Sequence, residues 1–187
     1  MSVEPPLHVE IVAFWRTAGP AKWFARDEAF DRAIRDTYET AHLAASRGEF
    51  ADWAQTPEGA LGLLILTDQF PRNLYRGSAH AFATDKIAYA VAEHALSRRF
   101  DREVEPALRP FFYLPFEHAE ALEDQGLALA LFEALAKEEG DANSLKWARL
   151  HYEIVLKFGR FPHRNACMGR TSTPEELAFL AEGGFAG

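Results

Sequence analysis

The residues best suited to chemistry gather in one stretch, Phe158 to Arg170, which reads FGRFPHRNACMGR. Arg160, His163, Arg164 and Arg170 follow one another closely there. Arginine offers a planar fork that makes two parallel charge-assisted hydrogen bonds to a carboxylate or phosphate. Histidine titrates near neutrality, which suits it to general acid or base work. Gly159, Pro162 and Gly169 shape the backbone between them, because glycine admits and proline imposes conformations that ordinary residues resist. A shorter copy of the wording occurs at Phe70, Pro71, Arg72 and Asn73, followed by Arg76 and Gly77. Each copy follows a strongly apolar helical segment, so two similar loops are expected at the same end of neighbouring helices.

These residues nominate a pocket for a small anionic ligand where the two loops meet the start of a helix carrying Glu117. Arg72, Arg160 and Arg164 are the candidate anion contacts, Asn73 and Asn165 the orienting hydrogen-bond groups, and Asp68 the partner that holds one arginine. His163, His118 and His151 are the candidate catalytic acids or bases, with Glu117 to orient one of them. The plainer alternative is that the arginines and asparagines tie up helix-terminal carbonyls, with Asp68 and Glu117 as ion-pair partners. A third alternative is a metal site, but no HExxH or paired ExxH spacing occurs, and none is expected. No GxxxxGK or GxGxxG is present, and no cofactor is expected. Cys167 lies near Arg164 and Arg170, yet its setting between Ala166 and Met168 suits packing equally well.

The elements that must position these groups read as helices. Leu7, Ile11, Phe14 and Trp15 share a face that ends at Gly19 and Pro20, after which Trp23 and Phe24 are expected to cap the core. Phe30, Ile34, Tyr38, Ala41 and Ala45 mark a helix over Asp27–Arg47, with His42 as a boundary histidine without chemistry. Thr56, Pro57 and Glu58 start another, running to about Gln69, whose middle is apolar all round and therefore belongs between other helices. Asp68 extends that buried face at a helix C-terminus, where the macrodipole disfavours an anion, so Arg72, Arg76 or Arg164 must compensate it. Thr84 and Asp85 cap a further helix, within Ser78 to Arg99. Pro106, Pro110 and Pro115 divide an aromatic run into short helical turns, followed by a helix on which Glu117 and Glu120 share a face. Leu127 to Leu135 forms the next helix. Trp147, Leu150, His151, Ile154 and Phe158 lie on one stripe of the last long one, and Thr173, Pro174, Glu175 and Glu176 open a short final helix with a capping box.

At 187 residues and 48% hydrophobic, the chain suits a single domain, residues 1–187. A net charge of −8 argues against a nucleic-acid or anionic-membrane surface. The longest apolar run falls far short of the ~20 residues of a membrane span. One cysteine and no leader pattern make the cytoplasm the expected compartment. The pattern is all-α, with seven to eight helices paired as antiparallel hairpins.

DQFPRNLYRG at Asp68 to Gly77, AFATD at Ala81 to Asp85, FFYLPFEHAE at Phe111 to Glu120, and FGRFPHRN with GRTSTPEE further on complete the set of motifs. Together they resemble the bacterial family catalogued as domain of unknown function 924, over nearly the whole chain. The resemblance implies hairpins stacked in a tetratricopeptide-like right-handed array and no established activity. It also makes a scaffold that binds an acidic peptide or protein partner the alternative to a small-molecule pocket.

Overall fold

The computed structural model describes residues 5–185, and helices account for all the regular structure among them. The first long helix obeys its pattern: after Pro6, α1 (Leu7–Ala18) buries Ile11, Val12 and Trp15 and stops at Gly19, whose φ of 72° only glycine adopts readily. Trp15 is a hub. It packs on Trp23, Phe30, Phe70 and Phe111 at centroid distances of 5.7 to 6.2 Å, and its carbonyl accepts from Trp23 Nε1 at 2.7 Å. Trp23 is buried as expected, whereas Phe24 remains 65% exposed.

Asp27 starts α2 (Glu28–Ser46) by accepting from the backbone N–H groups of Ala29 and Phe30, both at 3.0 Å. Its buried face is Phe30, Ile34, Tyr38, His42 and Ala45. The next helix departs from expectation. Pro57–Leu64, the π-helical turn Ile65–Gln69 and Phe70–Leu74 follow without a break, and together form α3. The first FPRN copy is therefore the last part of a buried helix and not a loop. Proline normally ends a helix because it offers no N–H to the carbonyl four residues back. Here Phe70 N–H reaches Ile65 O in the wider π register. The carbonyls that Pro71 cannot serve find other donors: Thr84 Oγ1 donates to Thr67 O at 2.5 Å, and His42 Nδ1 to Leu66 O at 3.0 Å. His42 is thus no boundary residue but a buried donor, and burial lowers its pKa. Thr84, read as an N-cap of α4 (Asp85–Ser97), makes no cap bond because its hydroxyl is spent on α3.

A 3-10 segment, Pro106–Phe112, carries the aromatic run, and a single helical turn, Leu114–Glu117, follows. The helix ends at Glu117, so Glu120 leaves its face instead of sharing it. α5 (Leu122–Glu139) and α6 (Ala142–Phe158) form a hairpin across Gly140, with Asp141 accepting from Ser144 N–H at 3.0 Å. The buried stripe of α6 is Ala148, His151, Ile154 and Val155; His151 and Ile154 are buried as expected, whereas Trp147 is 41% exposed. The second proline corner is a 3-10 turn, Pro162–Arg164, and α7 (Pro174–Ala181) opens with the expected capping box between Thr173 and Glu176.

By their contacts the described residues divide into two compact units. One takes those up to Arg76 with His80–Pro115, and the other Gly77–Ala79 with those from Phe116 onward. Among the described residues no helix is long and apolar enough to cross a membrane.

Two substitutions test this account of the first unit. A Cβ on Gly62 would sit 2.9 Å from His8 Cβ, too close to relieve by a side-chain rotation, so Gly62→Val should cost about 1–3 kcal/mol in urea denaturation. Thr84→Val keeps the shape but strands the Thr67 carbonyl, at a cost of about 1–3 kcal/mol. An unchanged midpoint for Thr84→Val would mean that the carbonyl has another donor.

Candidate functional site

In the second unit, Glu117, the last residue of the short helix Leu114–Glu117, meets His151 on the stripe of α6. Glu117 Oε1 lies 2.5 Å from His151 Nδ1, with the residues 2% and 8% exposed. Its other oxygen, Oε2, is buried and has no hydrogen-bond partner. Gln125, fully buried on α5, fixes the strand of backbone beneath by donating its Nε2 to the carbonyls of Glu117 and Ala119, each at 2.6 Å. The carboxylate thus faces the imidazole on its Nδ1 side.

The second proline corner places Phe161, which is wholly buried, beside this pair. His151 lies edge-on to the Phe161 ring at 5.3 Å, His163 lies 5.6 Å from it, and the Arg164 guanidinium stacks over it at 4.4 Å. Arg164 also donates to His118 O at 2.9 Å. The sequence-nominated His151, His163 and Arg164 thus surround one ring, with Glu117 against His151 and the His118 carbonyl against Arg164.

The remaining candidates of this unit hold the corner in shape. Arg160 donates through Nε and one terminal nitrogen to both oxygens of Glu176, at 2.6 and 2.8 Å, and to Thr171 O at 2.9 Å. Asn165 donates to Glu176 Oε2 and Ser172 Oγ, both at 3.0 Å; only its amide nitrogen can face a carboxylate, which settles the orientation. Glu120 takes Arg170 at 2.6 and 3.0 Å and accepts from Phe161 N–H at 2.8 Å. Cys167 donates its thiol to Arg164 O at 3.2 Å and is half-buried.

In the first unit, Asp68 is buried beside its compensating cation: Arg72 stands at 3.6 Å and Gln69 Nε2 donates at 2.6 Å. Arg72 also meets Asp85 at 2.9 Å, donates to Ala81 O and stacks on Phe82 at 4.7 Å. Asn73 donates to Asp31 at 2.7 Å, and Arg76 grips the same carboxylate at 2.6 and 2.9 Å. Gln125 and a buried Asp101–Tyr113 pair at 2.8 Å carry no signal in the sequence pattern. Burial, and then the Asp101 carboxylate, push the Tyr113 hydroxyl up to about 12. Among the described residues, no group of three or more His, Cys, Asp or Glu side chains is placed to hold a metal ion.

The Glu176 carboxyl is held down at about 2, below its ordinary 4.5, first by Arg160 and then, against the cost of burial, by Thr173 N–H and Asn165. Glu120 is lowered as well, its burial outweighed by Arg170 and Phe161 N–H. A carboxyl depressed on folding stabilises the folded state above its unfolded pKa, and that stability is lost as pH falls through the folded value. The melting temperature should therefore fall between about pH 5 and about pH 2, more steeply in the parent than in Glu176→Gln. Parallel curves for the two proteins would remove Glu176 as the cause.

A family model described as a bacterial protein of unknown function, DUF924, matches residues 11–184. The solved structure of a protein of unknown function from Agrobacterium tumefaciens is similar to this chain, with 46% identity and a TM-score of 0.89, over 94% of this chain and 97% of that one. Among curated proteins none matches. The matched residues run from within α1 past both copies of the proline motif and through α7, and the chain therefore belongs to the bacterial DUF924 family.

Proposed function

We propose that the second unit binds a small ligand bearing a carboxylate or phosphate, with Arg164 contacting the acidic group and the Glu117–His151 pair handling a proton. The observation that carries this reading is the 2.5 Å contact from a buried carboxylate to a buried imidazole, with the second carboxylate oxygen left without a donor. Glu176 nearby has both its oxygens met, by Arg160, Asn165 and Thr173 N–H. A base held by a carboxylate on one nitrogen is what proton transfer requires. His163, across Phe161, is the second proton-handling group, and Arg160 and Asn165 keep the corner in place around them. Binding is the primary role, and general acid–base catalysis is the chemistry for which the pair is equipped.

A second reading has one observation in its favour. α6 borders a shallow recess lined by Leu145, Leu150, Lys146 and Arg149, and Trp147 and Leu156 on the same helix are 41% and 57% exposed. An apolar strip edged by cations suits an acidic amphipathic segment, which is the scaffold reading of a tetratricopeptide-like protein.

Thermal unfolding against inorganic phosphate, acetate and succinate distinguishes these readings. At about 100 times its Kd, a bound anion adds about 2.7 kcal/mol of stability. The parent protein should gain that stability with at least one anion. Arg164→Lys, which retains charge but loses the fork, should lose most of it. If no anion shifts the parent and Arg164→Lys simply melts earlier, Arg164 is a structural residue and the small-ligand reading fails.

A further inference from the structure

The Glu117–His151 pair is shielded by a segment whose path depends on two glycines. After α7 ends, Gly183 takes a φ of 83°, in the left-handed region that side chains disfavour. Gly184 then donates its N–H to Phe179 O at 2.9 Å. It passes so near that a Cβ on Gly184 would meet that carbonyl at 2.5 Å and the Phe179 ring at 2.7 Å. This doubling-back delivers Phe185 onto the site. Its ring stands edge-on to His151 at 4.7 Å and 85°, and to His163 at 5.0 Å and 86°, and reaches Trp147 at 6.1 Å.

We infer that Gly183–Phe185 is a displaceable cover over the Glu117–His151 pair, which excludes solvent and ligand when seated and exposes the imidazole when it lifts. The segment lies outside any helix, and its backbone is anchored by the bonds from Gly183 to Leu180 O and from Gly184 to Phe179 O. Segments held by few bonds open at small cost relative to global unfolding. Phe185 itself stays half-buried, and it meets the two histidines by ring contacts. Lifting it breaks apolar contacts without stranding a charge, while the network around Glu176 that holds the corner stays intact. A buried acid–base pair that takes a ligand needs such an opening, and in that sense the inference rests on the small-ligand reading. The accessibility it predicts does not depend on any ligand.

The test is the rate at which diethyl pyrocarbonate modifies each histidine of the full chain, read by mass spectrometry, with exposed His80 as the internal reference. Phe185→Ala should raise the His151 rate about ten-fold while leaving His80 unchanged, an increase equivalent to about 1.4 kcal/mol of opening. Gly184→Ala, which retains the phenyl ring but blocks the approach to Phe179, should do the same. Equal His151 rates in parent and both variants overturn the inference, as does loss of cooperative unfolding in both, which would make the segment part of the core. Phosphate binding separates the two ideas. Faster His151 modification with no anion stabilising any variant keeps the cover and removes the ligand reading; anion stabilisation with unchanged rates does the reverse.

Discussion

A carboxylate withdrawn from water must meet donors where it lands, and much of this molecule is arranged around that requirement. Asp68, Asp101, Glu117 and Glu176 are all buried, and leaving any one unanswered would cost several kcal/mol. Asp68 has Arg72 and Gln69, Asp101 has the Tyr113 hydroxyl, and Glu176 has a guanidinium, an amide and a backbone N–H. Glu117 alone among these four carries a buried oxygen with no donor. Its side-chain partner, His151, is a group that can give up or take a proton. That difference in satisfaction separates a candidate functional carboxylate from its structural counterparts, although all four look alike in a composition count.

The same accounting explains the least regular part of the fold. Pro71 sits inside a buried helix, where its missing N–H would leave carbonyls dry. The π turn before it, the Thr84 hydroxyl and the His42 imidazole remove that cost and, in doing so, fasten α3 to α2 and to the start of α4. The second copy of the motif meets proline differently. At Pro162 the chain is already turning, and Arg164 and Asn165 work through their side chains, on His118 O and on Glu176. Similar wording therefore serves as a helical segment in one place and a corner in the other, because only the first is embedded between helices.

Much of the helical plan was legible because it rests on local rules. The stripe of α2, the capping box of α7 and the glycine stops after α1 and α5 depend on residues within a few positions of each other. So does the choice of chemistry. Glu117, His151, His163 and Arg164 were nominated together with Asp68, Arg72, Arg160 and His118, by residue type and by the apolar and proline-shaped stretches around them. What the pattern could not show was the part of each polar residue played out at long sequence range. His42 looked idle because its acceptor is 24 residues away, and Thr84 looked like a cap because its acceptor lies 17 residues back on another helix.

By itself, then, the sequence determined that the chain is all-helical and where most helices start and stop, since short-range hydrogen bonding and apolar periodicity govern both, and it nominated side chains for acid–base or anion chemistry by their type. Tertiary structure alone decided which of those side chains meet. It committed Arg160 and Asn165 to Glu176, paired His151 with Glu117, gathered His163 and Arg164 around Phe161, and laid Phe185 across the two histidines. The physical reason is that a hydrogen bond or ring contact between residues tens of positions apart leaves no periodic trace in either segment. It exists only once packing has brought both out of water together.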